Sequence, residues 1–258
     1  MFHQIRWTIE KISQRLNLIT PLVYRQRQEI APFRYHTLES PRVLPPVGLD
    51  VDDSEWAVIE PHTYWGRWRT DFVLRTHFTV PADWDKDAQV ALSLPIGDAG
   101  EFVHPEALAY IDGASYASCD RNHREFLIRS ELRDGQKHLL VLHGWTGMGG
   151  DGMTSPDLGT QLLMRPCEMV VIDQPTRELI AVARVAVGAA QAMSENAPAR
   201  GKVLAALDRA FTILDTREPF AEDFYASVPE ALAALREGIA QAGAPLDVEV
   251  IAAGHAHI

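Results

Sequence analysis

The chain has 258 residues, of which 47% are apolar and 23% are charged, as is ordinary for one or two globular domains. This composition, with only two cysteines, excludes a disordered tail, a collagen-like fibre and a disulfide scaffold. The formal net charge of −11 argues against a nucleic-acid binder and against binding to anionic membranes.

The cysteines and the N-terminus together indicate a cytoplasmic chain. The chain has only two cysteines, Cys119 and Cys167, which fits a reducing compartment. A single disulfide between them is the alternative. No apolar run reaches the roughly 18 residues that a transmembrane helix requires. The first residues also lack the apolar core and the cleavage site of a signal peptide.

Residues 1–55 are predicted to form a helix followed by a linker. Apolar residues recur every three or four positions from Phe2 to Ile19, as in an amphipathic helix. Pro21 ends this pattern, since the residue before a proline avoids the helical conformation. The stripe indicates packing within the same protein, with partner binding or self-association as the alternative. Residues 40–54 contain three prolines and no periodicity, which indicates an extended linker.

Between residues 56 and 174 the apolar residues follow a period of two, which is typical of strands. The alternation is clearest at residues 72–80 and 90–96. Further short apolar runs follow, separated by turn residues such as Asp112-Gly113. Many short strands without helices between them predict an antiparallel β-sandwich of jelly-roll or galactose-binding-like type.

Residues 175–244 change to alanine, leucine and charged residues, and three apolar stripes predict a helical connector. Ser227 is predicted to cap the third helix, with Pro229 in its first turn. Gly243 is predicted to end it. Residues 245–258 then predict a single strand, interpreted as the first strand of an α/β catalytic barrel that continues beyond the chain. The predicted fold class is therefore mainly β with α.

His255 and His257 are the strongest chemical signal in the sequence. They follow the last predicted strand, where two histidines can converge, and imidazole is a common zinc ligand. Two solvated histidines in a tail are the alternative.

A second candidate is Trp145, in the glycine-rich run at residues 143–150. This run is interpreted as a flexible sandwich loop. Reach of the loop toward the active site of a parent enzyme is a separate hypothesis. An esterase is disfavoured because the nucleophile elbow G-x-S-x-G is missing. The polar run at residues 120–125 is interpreted as a self-satisfied loop, with sugar contact as the alternative. Trp65 and Trp68 are interpreted as packing residues, with stacking on sugar as the alternative.

Several segments, in order, resemble family 38 glycoside hydrolases, the zinc-dependent retaining α-mannosidases, in their cytosolic or vacuolar-type branch. The similarity covers most of residues 56–258. Its segments are YWGRWRT at 64–70, FTVP at 78–81, AYIDG at 109–113, CDRNHRE at 119–125, VID at 171–173, REL at 177–179, LAAL at 204–207, ILD at 213–215 and VIAAGHAHI at 250–258.

The resemblance implies the N-terminal accessory portion of an enzyme that hydrolyses terminal α-mannosides with retention, using zinc and a carboxylate nucleophile. His257 matches the zinc-binding histidine of a His-x-His-x-Asp motif, and His255 and Trp145 would lie on the substrate side. The aspartate, the nucleophile and the acid would lie beyond Ile258, so this portion is expected to be inactive and to hold no zinc tightly.

An α-mannoside oligosaccharide is the implied partner, and a homo-oligomer is allowed without being shown. The alternative function is a stand-alone carbohydrate-binding or scaffold module built on the β-sandwich.

Overall fold

The computed structural model describes residues 8–97, 104–147, 159, 161–243 and 251–254. The chain divides into two compact units. One, here called the sandwich unit, is Gln26–Ile172. The other, the helical unit, combines Met1–Arg25 with Asp173–Ile258. The sandwich unit is therefore inserted between two segments that belong to one helical unit.

The sandwich unit is built from short strands joined by turns. The strands in the described part of the chain are β1 (Tyr24–Glu29), β2 (Phe33–Thr37), β3 (Ala57–Ile59), β4 (Tyr64–Trp65), β5 (Asp71–Phe78), β6 (Gln89–Ser93), β7 (Glu106–Ile111), β8 (Ala114–Cys119), β9 (Glu125–Leu127), β10 (His138–Trp145), β11 (Leu162–Leu163) and β12 (Glu168–Ile172).

The described strands form three sheets. One has the order β1-β12-β6-β9, a larger one has the order β3-β2-β5-β10-β7-β8, and β11 pairs with β4. Within the larger sheet, β10 runs antiparallel to both β5 and β7. These three strands carry the candidate site.

The two larger sheets contribute to one hydrophobic core. Phe72 and Leu142 from the larger sheet belong to the same buried cluster as Leu92 and Met169 from the other. Burial of each such side chain stabilises the fold by about 1.5–3 kcal/mol. The prediction of an antiparallel β-sandwich combined with helices is confirmed.

A tight turn joins β7 to β8 at the predicted Asp112-Gly113 pair. The two residues have φ values of 49° and 84°. Successive positive φ values are characteristic of a type I′ turn, which Asp-Gly favours because glycine has no Cβ to clash. The local sequence therefore specifies this hairpin.

The structure differs from the sequence-based prediction ahead of Trp56. Strands β1 and β2 lie in the segment for which a helix and a linker were expected. In β1, every residue after Tyr24 is exposed, so no apolar alternation marks the strand. β1 lies at the edge of its sheet, where polar side chains are tolerated.

The described residues of the helical unit form four helices and one 3₁₀ turn. The predicted N-terminal stripe is buried at Ile12, Leu16 and Ile19, whereas Phe2 and Ile5 lie outside the described residues. The elements are α1 (Thr8–Ile19), the 3₁₀ turn (Thr20–Val23), α2 (Gln174–Ala192), α3 (Pro198–Ile213) and α4 (Glu222–Ala242).

The N-terminus of α4 corrects one prediction. Ser227 does not cap this helix, because α4 begins at Glu222 and Pro229 lies inside it. The Ser227 hydroxyl instead donates to the Phe224 carbonyl at 2.7 Å and accepts from the Asp215 amide at 3.0 Å. Apolar packing of the helix therefore overrides the local capping signal.

The C-terminal prediction is largely outside the described residues. Of the predicted strand at residues 245–258, only residues 251–254 are described, and they are exposed and carry no strand. No helix in the described ranges is long and apolar enough to cross a membrane.

Candidate functional site

The predicted site residues have different outcomes. His255 and His257 lie outside the described residues, so their assigned roles toward substrate and zinc stay predictions. Trp145 is described and is the last residue of β10. The flexible loop expected from residue 143 onward is therefore wrong for residues 143–145, which pair with both neighbouring strands. Residues 148–150 of that loop are outside the description.

Trp145 lines an open cavity of about 420 Å³ on the outward surface of the larger sheet. A volume of this size is within the range of small-molecule sites. We call it the outer-face groove. Its lining residues are Pro41, Arg69, Asp71, His143, Gly144 and Trp145.

Strand register explains why these side chains converge. Trp145 lies opposite Asp71 of β5 and opposite Glu106 of β7. Directly opposed residues in antiparallel strands project from the same face, and so do residues two apart in one strand. Asp71, Trp145 and Glu106 thus form one row across three strands, with His143 in the next row.

Glu106 is held in place by two neighbours. The Trp145 Nε1–H donates to Glu106 Oε2 at 3.0 Å. On the other side, His104 Nε2 lies 3.3 Å from Glu106 Oε1. The carboxylate is therefore oriented although its side chain is 54% exposed. Each oxygen keeps a second lone pair for an external donor.

Gly144 permits the close approach of β10 to β7. A Cβ at this position would lie 1.9 Å from the Glu106 carbonyl oxygen and 2.7 Å from the Ala107 Cα. No side chain fits there without moving the backbone. The glycine therefore fixes the spacing between Trp145 and Glu106.

His143 supplies a neutral polar group to the groove near neutral pH. Burial lowers the pKa of His143, and the nearby Asp71 carboxylate opposes this only in part. An uncharged imidazole has one donor and one acceptor nitrogen. His143 can therefore either give or receive a hydrogen bond.

Arg69 lies at the rim of the groove in a left-handed backbone conformation, with φ of 47°. Its amide donates to the Gly147 carbonyl at 3.0 Å, and its guanidinium lies 5.4 Å from the Trp68 ring centroid. Among the described atoms, Trp68 Nε1 and His104 Nδ1 are buried without a hydrogen-bond partner. Packing thus leaves polar groups unsatisfied at this end of the sheet, which is rare for buried atoms.

Part of the sheet's outward surface is covered by residues 40–56, here called the strap, whose Val47 and Trp56 pack against it. Arg75 of β5 is buried and holds this segment with its whole guanidinium. Its nitrogens donate to Asp53 Oδ2 at 2.8 Å, to the Pro46 carbonyl at 2.6 Å and to the Gly48 carbonyl at 3.1 Å. The outer-face groove lies beside the strap, and Pro41 of the strap forms part of its lining.

Other candidate residues have structural roles. Asp120 accepts from the amides of Asn122 and His123 at 2.7 and 2.8 Å, as expected for a loop that satisfies itself. Trp65 is buried, and its Nε1–H donates to the Ile96 carbonyl at 2.7 Å. The interpretations of residues 120–125 as a self-satisfied loop and of Trp65 as a packing residue therefore agree with the geometry.

The cysteines and the metal-ligating side chains of the described residues form neither a disulfide nor a metal site. Cys119 and Cys167 are both buried free thiols, so the disulfide that the sequence left open is not formed. Within the residues that the structure describes, no group of three or more His, Cys, Asp or Glu side chains is placed to hold a metal ion.

Comparisons with known proteins give only partial structural matches. No family model matches the chain, and no curated protein matches it. A β-glucuronidase from Bacteroides uniformis is 17% identical, with a TM-score of 0.40 over 56% of this chain and 18% of that one. The Faecalibacterium prausnitzii β-glucuronidase is 11% identical, with a TM-score of 0.40 over 58% and 32%. This chain therefore spans about a third or less of the length of these proteins.

The resemblance to family 38 α-mannosidases is wrong. The matching solved structures are β-glucuronidases, one of them described as a member of glycoside hydrolase family 2, and no family model supports family 38. Segments that carried the resemblance have general structural causes here. AYIDG ends in the β7–β8 hairpin turn, and the tryptophan that follows Tyr64 packs in the core. Such short patterns recur wherever strands and turns of this kind form.

Proposed function

We propose that the sandwich unit binds carbohydrate through the outer-face groove, as an accessory module of a glycoside hydrolase. The observation that carries the proposal is the row of Asp71, Trp145 and Glu106 across three strands. Asp71 and Trp145 line the groove, and Glu106 lies beside it, bonded to Trp145. The glycosidase class comes from the names of the matched structures. Carbohydrate binding itself is supported by the groove.

The side-chain types in the groove suit a sugar ring. An indole presents an apolar face of the size of a pyranose, and its Nε1 is already bonded to Glu106. Carboxylate oxygens accept hydrogen bonds from hydroxyls, and the imidazole of His143 can donate or accept. A ring with one apolar face and a hydroxyl edge therefore finds a partner on each side.

Binding is favoured over bond cleavage by the openness of the site. Glu106 is 54% exposed, and Leu108 in the neighbouring row is 51% exposed. Hydrolytic sites generally close around the substrate and expel water to strengthen their electrostatics. This open surface supports recognition of a sugar.

The test is a fluorescence and NMR titration of the full chain with glucose, galactose, cellobiose and the methyl glycoside of glucuronic acid. We expect saturable binding by at least one of these sugars, weakened about tenfold by Trp145→Ala, since an aromatic contact contributes roughly 0.5–1.5 kcal/mol. Tyr64→Ala is the matched control, because Tyr64 is a 65% exposed aromatic residue outside the groove. Failure of every sugar to bind, with both variants folded by circular dichroism, would leave a scaffold role instead.

A further inference from the structure

Two carboxylates flank the aromatic surface of the outer-face groove. Asp71 lies opposite Trp145 on one neighbouring strand, and Glu106 lies opposite it on the other. A ligand stacked on the indole therefore has a carboxylate on both sides. Hydroxyl groups of the ligand can donate hydrogen bonds to these carboxylates, whereas a negatively charged substituent would be repelled by them.

Glu106 has limited freedom to move away from such a ligand. Trp145 Nε1 donates to one of its oxygens at 3.0 Å, and His104 Nε2 lies 3.3 Å from the other. Rotation of the Glu106 side chain would break the bond to the tryptophan that supports the ligand. The acceptor and the aromatic surface are thus coupled.

The cationic groups near Asp71 and Glu106 offset the negative charge of these carboxylates only in part. Arg69 is the one cationic side chain that lines the groove among the described residues, and its guanidinium lies over the Trp68 ring. His143 is mainly neutral near pH 7, because burial lowers its pKa. Two carboxylates therefore lie beside Trp145, Asp71 within the groove lining and Glu106 next to it, and His104 contacts only one oxygen of Glu106.

We propose that the outer-face groove selects uncharged saccharides over uronic acids, with Asp71 and Glu106 as hydroxyl acceptors and as the source of discrimination. This inference rests on the proposed carbohydrate binding and adds the class of ligand. Like-charge contacts are a general means of excluding a wrong partner. The names of the matched β-glucuronidases would suggest a preference for glucuronides. The proposed selectivity is the opposite.

The experiment compares two probes that differ in one group, methyl β-glucoside and methyl β-glucuronide, titrated into the full chain at low ionic strength. We expect the glucuronide to bind about tenfold more weakly. The ratio should narrow at about 0.5 M salt, because screening weakens repulsion between exposed charges.

Charge-removing variants assign the effect to its residues. Asp71→Asn and Glu106→Gln keep the side-chain shape, so we expect the double variant to bring the glucuronide to within about threefold of the glucoside. Asp83→Asn is the matched control, since it removes an exposed carboxylate of the same unit that does not line the groove. We expect it to leave the ratio unchanged.

The outcomes separate the two proposals. Equal or tighter binding of the glucuronide by the unaltered chain overturns the selectivity and leaves carbohydrate binding intact. An equal effect of Asp83→Asn would assign the discrimination to net charge and overturn the roles of Asp71 and Glu106. Absence of binding by both probes and by the other sugars of the panel overturns carbohydrate binding itself, and the selectivity with it.

Discussion

His138 shows how the environment of a single residue decides its chemistry. It is buried at the start of β10, where its Nδ1 lies 2.7 Å from Asp112 Oδ2 and its Nε2 lies 3.1 Å from Asp134 Oδ1. Asp112 forms the β7–β8 turn, and Asp134 precedes β10. One imidazole therefore connects two turns that are distant in sequence.

The pH dependence of stability at His138 has a definite sign. Burial lowers the pKa of His138, but the hydrogen bonds and charges of Asp112 and Asp134 outweigh it and raise the pKa. Stabilisation from a raised histidine pKa is complete below the unfolded value and is lost as the pH rises through the folded value. We expect His138→Gln to lower the free energy of unfolding most below about pH 6.5 and progressively less above it, in urea titrations.

His143→Gln is the control for this prediction. Burial lowers the pKa of His143, so its contribution is present at high pH and is lost as the pH falls below the folded and unfolded values. The differences in unfolding free energy for the two variants should change with pH in opposite directions. Parallel pH profiles would contradict the assignment at His138.

Gly144 gives a second prediction about a single residue. We expect Gly144→Ala to reduce the free energy of unfolding by about 1–3 kcal/mol, because its Cβ would overlap the Glu106 carbonyl. Gly188→Ala in α2 is the matched change, since nothing lies within 4 Å of its Cβ position. It should stabilise the chain by about 0.5–1 kcal/mol through helix propensity. Denaturant midpoints measure both, and equal midpoints for the two variants would contradict the crowding argument.

Only part of the candidate site could be predicted from individual residues. Trp145 attracts attention as an aromatic residue within a glycine-rich run. Asp71 and Glu106 do not, because each is one of many acidic residues and lies far from Trp145 in the sequence. Their relation to Trp145 depends on strand register, which a single sequence specifies poorly.

Elements with a strong apolar period were predicted well. β5 and β6 show that period because their inward residues fill the sandwich core. β1 shows none, since its side chains are mostly exposed at a sheet edge. Residues 40–54 of the strap were expected to be a linker, and nothing in their composition reveals that Arg75 holds the strap against the sheet.

The strap should therefore depend on one side chain. Arg75→Met keeps the length of the stem but removes the donors to Asp53, Pro46 and Gly48. We expect a loss of about 3 kcal/mol in unfolding free energy, since breaking a buried ion pair leaves its partner uncompensated. We also expect new protease cleavage within the strap, located by mass spectrometry. Arg42→Met, at an exposed strap position, should change neither the unfolding free energy nor the protease cleavage of the strap.

At the scale of the whole molecule, the division into two units escaped sequence reasoning. The stripe on α1 is visible in the sequence, but the identity of the surface that covers it is not. α1 packs against α2 and α3, whose residues follow the entire sandwich unit. Periodicity reveals that a face is buried and carries no information about a partner so distant in sequence.

The two thiols offer a measurement of the integrity of the sandwich unit. Burial raises the pKa of Cys119 to about 12 and also raises the pKa of Cys167. Both belong to the shared core, so neither is a reactive thiolate in the folded state. We expect no reaction with Ellman's reagent at about pH 8 under native conditions. Both thiols should react in guanidinium chloride, at a midpoint lowered by Gly144→Ala.

Rapid labelling of either cysteine in the folded chain would contradict this picture of the core. Labelling that precedes the loss of near-ultraviolet circular dichroism would show local opening around that cysteine instead of cooperative unfolding.

The insertion of one unit into the other has a consequence for synthesis on the ribosome. α1 emerges roughly 150 residues before α2 and α3, the helices against which it packs. During that interval its face of Ile12, Leu16 and Ile19 has no native partner. The sandwich unit can complete its strands first, because they all lie within one continuous stretch. Nascent chains stalled when Ile172 has just left the ribosomal tunnel should therefore expose α1 to chaperones while the sandwich unit has already folded.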